Sequence, residues 1–528
     1  MLRLAPLHKV LLAGLAFRMV AVFFSTGYLM HDDHFLVVEA AASWADGEDY
    51  NRWLPWNQEV DQIQAHPANF AYVGTQFLLF KALDFAGIVQ PQSQMLVVRF
   101  LHALFSLLII VLGHRLAVRL GADQKTALLV AWILAVGGLF PNLAVRNLVE
   151  MVCIPPLLWG LAAAVKSEKL DLRSVLVAGV GIGIATGLRY QCGLFGLGLG
   201  GVLLVQRQWR EAVQIGVVAL ATFAVMQSAD LLVWGEPFVQ LRAYLNYNGT
   251  HAGEYPTGPW YIYLLTIGGL LIPPVSLLIL FGFFAGFFAG IFVRNANSDA
   301  PKHLRWWRVA VPTLLFLVFH SVYVNKQARF ILPAIPALVA LGLYGWSLWR
   351  ARSAWWSGRA VLDRWIWRAF WGLNTLVLLA FTTIPGKSSR VGAMDYMYAQ
   401  GAENFLVVQV DAAPMMPRFY AGTWAEYYWS DRRTPAENPH ATDIIVQRNM
   451  ICRGEEGRPW PAYFLFVGDA GLAHEINGYK QMYPGLKYET TIRPEWYDRW
   501  INRINPINGV ERIIIYSADR EKICSPSP

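Results

Sequence analysis

Long apolar runs separated by short charged loops fill the first 385 residues of the chain. A helix of about 20 apolar residues crosses a bilayer, so these runs predict about eleven membrane-spanning helices. The runs cover residues 10–27, 95–114, 126–140, 147–165, 174–188, 192–205, 212–234, 260–293, 309–324, 331–349 and 369–385. No small-residue cleavage site follows the first run, which predicts a retained helix and not a removed signal peptide.

The loop between the first two runs, residues 28–94, is too long for a simple connector. Residues 35–44 and 70–80 within it have the apolar spacing of helices, and His66-Pro67 suits the start of the second one. We expect both to be amphipathic helices lying in the membrane interface. For residues 70–80, a full span paired with a re-entrant partner is the alternative.

The composition changes after residue 385, where Pro, Asn, Asp and Arg become common and apolar runs shrink to strand length. Residues 405–410, 463–467 and 512–516 are typical of buried strands, with helix-like stretches between them. The predicted fold is an α-helical polytopic membrane domain, 1–385, followed by a small α/β domain, 386–528. A domain of that length is large enough for its own core.

Composition supports the membrane assignment, because 55% of the residues are hydrophobic and 15% are charged. The net charge of +8 falls in short loops between spans, so it indicates membrane orientation and no nucleic-acid partner. The basic loops hold Arg115, Arg119, Lys125, Lys166, Lys169, Arg173, Arg207, Arg210, Arg294, Lys302, Arg305, Arg308, Arg350, Arg352, Arg359, Arg364 and Arg368. With these loops in the cytoplasm, the first loop and the tail lie outside it. The expected location is a bacterial inner membrane facing the periplasm, or an endoplasmic reticulum membrane facing the lumen.

The four cysteines show no spacing typical of a metal site. Cys153 and Cys192 lie in apolar runs, and Cys452 and Cys524 lie in the tail. The tail pair would form a disulfide if the two residues were close and exposed to an oxidising compartment, which the sequence leaves open.

Four ionisable residues, His31-Asp32-Asp33-His34, stand where the first span ends. Charged groups crowded at a membrane edge are costly, so such a cluster favours a catalytic loop. The alternative is that they only end a helix at the water interface.

Two further polar breaks lie between spans on the same predicted side. Lys326 and Arg329 are three residues apart, so on a helical turn both cations would face a lipid phosphate, with Gln327 beside them. Ordinary snorkelling is the alternative. Arg189, followed by Tyr190, is expected to face a cavity, or else to pair with an acidic residue of the first loop.

A stretch from Tyr244 to Tyr263, which includes Asn246 and Trp260, mixes aromatic rings with amides and a histidine. Such a mixture suits sugar rings, which offer apolar faces and hydroxyl edges, although interfacial aromatic belts have the same composition. Asn248-Gly249-Thr250 also fits a glycosylation sequon.

Together these stretches resemble the GT-C glycosyltransferases, and most of all glycosyltransferase family 22, the dolichyl-phosphate-mannose-dependent α-mannosyltransferases. That family has His-Pro-Asp-Glu after its first span, where this chain has residues 31–34, so Asp33 matches the motif Asp and His34 replaces the Glu. The family's Asn-aromatic-Gly-Pro-Trp stretch is similar to residues 246–260. Its His-Ser and His-Lys-Glu-x-Arg-Phe resemble residues 320–321 and 325–330, with Asn and Gln replacing His and Glu.

The resemblance implies an inverting membrane glycosyltransferase that moves a sugar, with mannose expected, from a polyprenyl- or dolichyl-phosphate carrier to a lipid-linked or glycan acceptor. It implies Asp33 as general base with Asp32 nearby, and Lys326, Arg329 and Arg189 at the leaving phosphate. His31, His34, Tyr190, Asn246, Trp260 and Gln327 are the other expected substrate contacts. No cofactor and no obligatory metal are expected, although Asp32 and Asp33 leave a metal open.

Two other functions remain open at this point. One is a GT-C transferase that acts on protein or on a lipid headgroup. The other is a transporter or lipid-carrier flippase, which predicts inverted repeats or charged residues at mid-span. The sequence shows neither feature.

Overall fold

The computed structural model describes residues 5–59, 63–66, 70–292, 300–409, 415–431, 444–454, 457–468, 472–504 and 511–524. The chain divides into two compact units that interleave in sequence. The first comprises Met1–Ser25, Trp53–Thr75 and Leu96–Ile384, and the second comprises Thr26–Arg52, Gln76–Met95 and Pro385–Pro528. The sequence-based boundary between residues 385 and 386 stays a prediction, as does the count of spans.

The first unit is helical. Its α-helices are Pro6–Phe24, Gln124–Val136, Phe140–Val145, Val149–Val152, Ile154–Ala164, Leu172–Leu188, Gly193–Val205, Trp209–Met226, Ala229–Trp234, Val239–Thr250, Ile262–Leu270, Val275–Phe292, Ala300–Val322, Ile335–Arg352, Ala354–Ser357 and Ala360–Thr382. Short 3₁₀ helices cover Pro55–Asn57, Tyr190–Cys192, Ala252–Glu254 and Ala328–Ala334. Phe70–Phe85 and Pro91–Leu120 contribute residues to both units.

Among the described residues, four helical segments are long and apolar enough to cross a membrane: Pro6–Phe24, Pro91–Leu120, Trp209–Trp234 and Ala328–Arg352. Several predicted spans are broken where prolines interrupt the backbone hydrogen bonds. Pro273 and Pro274 separate Ile262–Leu270 from Val275–Phe292 within the predicted span 260–293, whose last residue lies outside the described residues. In the span 147–165, the helix Val149–Val152 is followed by a separate helix, Ile154–Ala164, which has Pro155 and Pro156 in its first turn.

Arg18 and Asn374 are buried polar residues of these helices whose side chains are hydrogen-bonded to neighbouring helices. Arg18, fully buried, donates from Nε to Ser106 Oγ (2.8 Å) and from Nη1 to the Ala135 carbonyl (2.9 Å). Asn374 accepts from the Gly138 amide (2.9 Å) and donates to the Val136 carbonyl (2.9 Å). Such bonds offset the cost of placing polar groups in an apolar interior.

The second unit contains a five-stranded sheet formed by the tail. Its strands are β1 Phe405–Gln409, β2 Tyr428–Asp431, β3 Tyr463–Gly468, β4 Leu486–Ile492 and β5 Arg512–Ala518, in the order β2-β1-β3-β5-β4. β1 is parallel to β2 and β3, and β5 is antiparallel to β3 and β4. The predicted strands 463–467 and 512–516 are confirmed, as is 405–410 up to Gln409. Val410 lies outside the described residues.

Helices of the second unit are His31–Asp33, Ala40–Ala45, Ser388–Ala399, Arg418–Ala421, Ile444–Arg453, Leu472–Met482, Trp496–Ile504 and Arg520–Cys524, with a π-helix over His34–Glu39. The predicted helical segment 35–44 is therefore confirmed, and residues 70–80 are helical within Phe70–Phe85. A disulfide joins Cys452 to Cys524, whose Cα atoms are 5.5 Å apart, which settles the pairing that the sequence left open.

Segments of the first loop pack with the tail inside this second unit. The Glu39 carboxylate accepts from the Phe419 amide (3.1 Å), and Trp424 Nε1 donates to Asp46 Oδ2 (2.6 Å). Gln92 Nε2 donates to both carboxylate oxygens of Asp395 (3.1 and 2.9 Å). The first loop is thus part of a folded unit and not only a surface connector.

Candidate active site

The acidic loop of the second unit begins as one helical turn, His31–Asp33, and continues as the π-helix His34–Glu39. Asp33 is buried, with 5% of its surface exposed, whereas Asp32 is half-buried and His31 is exposed. Isolated π-helical turns are rare in proteins and occur frequently at functional sites. Asp33 directly precedes this π-helix, and a buried carboxylate at that position suits a reacting group better than a simple helix end.

His34 lies inside an aromatic stack in the same unit. Its ring is parallel to Tyr28 (centroids 4.5 Å apart) and to Tyr420 (5.4 Å), and its Nε2 lies 3.3 Å from Glu39 Oε1. Only 2% of His34 is exposed. This environment is that of a positioning residue, and the substrate contact expected of His34 stays a prediction.

Lys326 is bonded differently from the expectation. Residues 325–327 have no regular secondary structure and the 3₁₀ helix begins at Ala328, so Lys326 and Arg329 do not share a helical turn and that step of the sequence argument is wrong. The ammonium of Lys326 donates to the carbonyls of His320 (2.8 Å), Ser321 (2.8 Å) and Tyr323, at the end of helix Ala300–Val322. A cation there is favourable because the carbonyl end of a helix is negative.

Arg329 and Arg189 lie next to the same carboxylate, Glu150, which the sequence analysis did not single out. Glu150 Oε1 lies 3.3 Å from Arg189 Nη2 and 3.7 Å from Arg329 Nε, and the Glu150 side chain is 0% exposed. Both guanidinium groups also lie near the Phe330 ring, at 4.9 Å for Arg189 and 5.8 Å for Arg329. We call Glu150, Arg189 and Arg329 the arginine cluster.

The alternative expected for Arg189, an ion pair, is therefore present, and the partner seen is Glu150, which lies outside the first loop. Glu150 is an acidic residue inside a predicted apolar run, and such a residue requires a charged partner. That signal was available in the sequence. The break at Pro155 and Pro156, which places Glu150 in the short helix Val149–Val152, made the run unlike an ordinary span.

The remaining predicted contacts occupy different environments of the first unit. Gln327 Oε1 accepts from Arg329 Nε (2.9 Å), the same nitrogen that lies 3.7 Å from Glu150. Tyr190 is half-buried and donates to Gln227 Oε1 (3.0 Å). Asn246 and Trp260 are exposed, and Trp260 packs edge-on against Tyr261 at 5.8 Å.

A neighbouring hydrogen bond, from Gln191 Nε2 to Tyr244 Oη, lies beside Tyr190. Burial raises the pKa of Tyr244, and the cations of the arginine cluster oppose that rise. The phenol therefore stays protonated at neutral pH and keeps a hydrogen to donate. The sequence analysis placed Tyr244 in the aromatic stretch but gave it no role of its own, because interfacial tyrosines have the same composition and spacing.

No group of three or more His, Cys, Asp or Glu side chains arranged to hold a metal ion occurs in the part of the chain that the structure describes.

Solved structures with a similar fold cover nearly the whole chain. ArnT from Cupriavidus metallidurans, bound to undecaprenyl phosphate, has a TM-score of 0.59 at 15% identity and covers 98% of this chain and 99% of its own. The Archaeoglobus fulgidus oligosaccharyltransferase AglB, in complex with an inhibitory peptide and a dolichol-phosphate, has a TM-score of 0.55 at 11% identity and covers 91% of this chain and 72% of its own. These likenesses show the fold, that of the GT-C glycosyltransferases.

No curated protein matches the sequence. The model of the Alg9-like mannosyltransferase family matches residues 9–409, most of the chain. The chain therefore belongs to the Alg9-like mannosyltransferase family and is a membrane glycosyltransferase.

Proposed function

We propose that this enzyme is an inverting transferase that takes a sugar from a polyprenyl- or dolichyl-phosphate carrier. The family name supports mannose as the sugar. We propose a lipid-linked or glycan acceptor, with reaction on the extracytoplasmic face of the membrane. The acidic first loop and the basic opposite loops support that orientation.

The observation that carries the proposal is the arginine cluster. Two guanidinium groups approach one carboxylate oxygen, and 15% and 7% of the Arg189 and Arg329 side chains are exposed. Guanidinium groups bind phosphate oxygens through paired N–H donors, and they bind more strongly where water is excluded. A lipid phosphate is the anion of the proposed donor that fits such donors.

The solved structures support the same class of carrier. ArnT binds undecaprenyl phosphate and AglB binds a dolichol-phosphate. Both ligands join a long isoprenoid chain to a single phosphate. We carry this carrier class, and no detail of the binding geometry, over to the present chain.

In the proposed reaction, an acceptor hydroxyl attacks the anomeric carbon as the bond from that carbon to the phosphate oxygen breaks. Asp33 takes the hydroxyl proton, and the phosphate oxygen keeps the electron pair of the broken bond. Arg189 and Arg329 stabilise the charge that develops on the phosphate. Asp32 and His31 are proposed near the acceptor, and independence from metal stays a prediction.

Donor kinetics of Arg329 variants test the phosphate site. A charge-assisted contact contributes about 1.5–3 kcal/mol, so Arg329→Ala is expected to lower kcat/KM for the lipid-phosphate donor by roughly 10- to 150-fold. Arg329→Lys is also expected to lose activity, because an ammonium cannot replace the planar fork.

Arg242→Ala is the matched control. Arg242 belongs to the same unit and pairs with Glu236 on the surface (2.7 Å), so its loss is expected to leave donor kinetics unchanged. Unchanged kinetics in a well-folded Arg329→Ala protein would remove the phosphate site and favour the transporter alternative.

A further inference from the structure

Glu150 contacts the two guanidinium groups that are proposed to bind the lipid phosphate, so the carboxylate and the phosphate compete for the same donors. Its side chain is fully buried, and neither carboxylate oxygen accepts a hydrogen bond within the described part of the chain. It lies 3.3 Å from the Arg189 guanidinium and 3.7 Å from that of Arg329. Both distances exceed those of short charge-assisted bonds, so the carboxylate acts on the two cations mainly through its charge.

The charge on the lipid phosphate changes during the proposed reaction. The donor is a phosphodiester with one negative charge. Transfer of the sugar leaves a phosphate monoester, whose second ionisation has a pKa near 6, so that above neutral pH it carries about two charges. The product is therefore held more tightly than the donor by any site of fixed positive charge, and slow product release limits many enzymes.

We propose that Glu150 is a positioning residue that limits how tightly the arginine cluster holds the lipid phosphate after transfer. This inference rests on the proposed function. The carboxylate holds the two guanidinium groups close together, and its negative charge lowers the net positive charge of the arginine cluster by one. The site then binds the donor and still releases the more highly charged product.

Glu150→Gln keeps the side-chain shape and removes one negative charge. Coulomb energy is proportional to the ligand charge, so the energy gained by a dianion is twice that gained by a monoanion at the same position. The corresponding factor in the binding constant is therefore squared. An increase of about threefold in affinity for a phosphodiester thus predicts about tenfold for the monoester. In turnover, donor KM is not expected to rise, whereas kcat falls because the product leaves more slowly.

The matched control is Asp363→Asn. Asp363 is also a largely buried carboxylate of the first unit, and it pairs with Arg350 at 3.2 Å. Asp363→Asn therefore also removes the charge of a carboxylate that pairs with an arginine, but at a place outside the proposed site. We expect it to change thermal stability and leave the affinities for both lipids unchanged.

The experiment measures binding of two probes at pH 8 to the full-length protein in detergent: undecaprenyl phosphate and its methyl diester. Glu150→Gln is expected to raise affinity for the monoester more than for the diester, and at pH 5 the difference is expected to shrink as the monoester loses its second charge. If Glu150→Gln does not fold, Glu150→Asp serves, since a carboxylate set back by one methylene is expected to shift the same ratio in the same direction by less.

An unchanged ratio, or equal losses for both probes together with a lower melting temperature, would assign Glu150 a purely structural role and overturn the inference. Failure of the wild-type protein to bind either probe would overturn the proposed function itself. The two failures are therefore distinguishable.

Discussion

Replacing Lys326 by alanine separates two roles for its ammonium. The sequence suggests a phosphate ligand, whereas the structure gives the ammonium three carbonyl acceptors at the end of helix Ala300–Val322. A cation at a helix carbonyl end contributes about 0.3–2 kcal/mol. Because Lys326 is half-buried, we expect Lys326→Ala to lower the free energy of unfolding by about 1–2 kcal/mol.

Thermal unfolding in detergent and donor KM are to be measured on the same preparations. Lys326→Ala is expected to melt several degrees lower, with a donor KM within about threefold of wild type, and Lys326→Arg is expected to recover part of the stability. Lys166→Ala, which removes an exposed ion pair with Asp171 (2.9 Å), is the control and is expected to change neither quantity. A wild-type melting temperature combined with a 10- to 150-fold higher donor KM would refute the capping role and return Lys326 to the phosphate.

Two further predictions concern the second unit. The disulfide between Cys452 and Cys524 joins residues 72 positions apart, so the double substitution Cys452→Ser, Cys524→Ser is expected to lower the free energy of unfolding by up to about 4 kcal/mol. Thiol reagents outside the cytoplasm are expected to label the wild-type pair only after reduction. Burial raises the pKa of Asp395, and the amide of Gln92 opposes that rise. The native state then binds the proton more tightly, so stability is expected to fall as pH rises from the ordinary aspartate pKa through the raised one, and Asp395→Asn is expected to remove that slope in melting curves between pH 4 and 7.

The sequence predicts elements well where a single physical signal dominates. Continuous apolar runs at residues 463–467 and 512–516 identified the buried strands β3 and β5. β2 and β4 were missed because each stands at an edge of the sheet, and β4, Leu486–Ile492, mixes charged and apolar residues without a continuous run. Edge strands carry this mixed composition because one side has no partner strand.

Residues whose role depends on a distant partner were harder to predict. Arg189 was expected to face a cavity, or else to pair with an acid of the first loop, where acidic residues cluster. The contact with Glu150 depends on how two broken helices meet. The spacing of Lys326 and Arg329 suggested a shared face. The structure instead has an irregular segment followed by the 3₁₀ helix Ala328–Ala334, and Pro333 disfavours a regular α-helix there. Local periodicity does not determine such junctions.

The most direct test of the central claim is sugar transfer by membranes that contain this protein. Radiolabelled sugars on polyprenyl phosphate, with mannose first in the panel, are to be offered to the wild-type and Asp33→Asn proteins and the products resolved. We expect a labelled product from one such donor with the wild-type protein, none from nucleotide sugars alone, and a loss of roughly 100- to 10,000-fold in the variant, because the amide cannot accept the proton. Transfer from a nucleotide sugar without a lipid phosphate, or equal turnover by Asp33→Asn, would contradict the account.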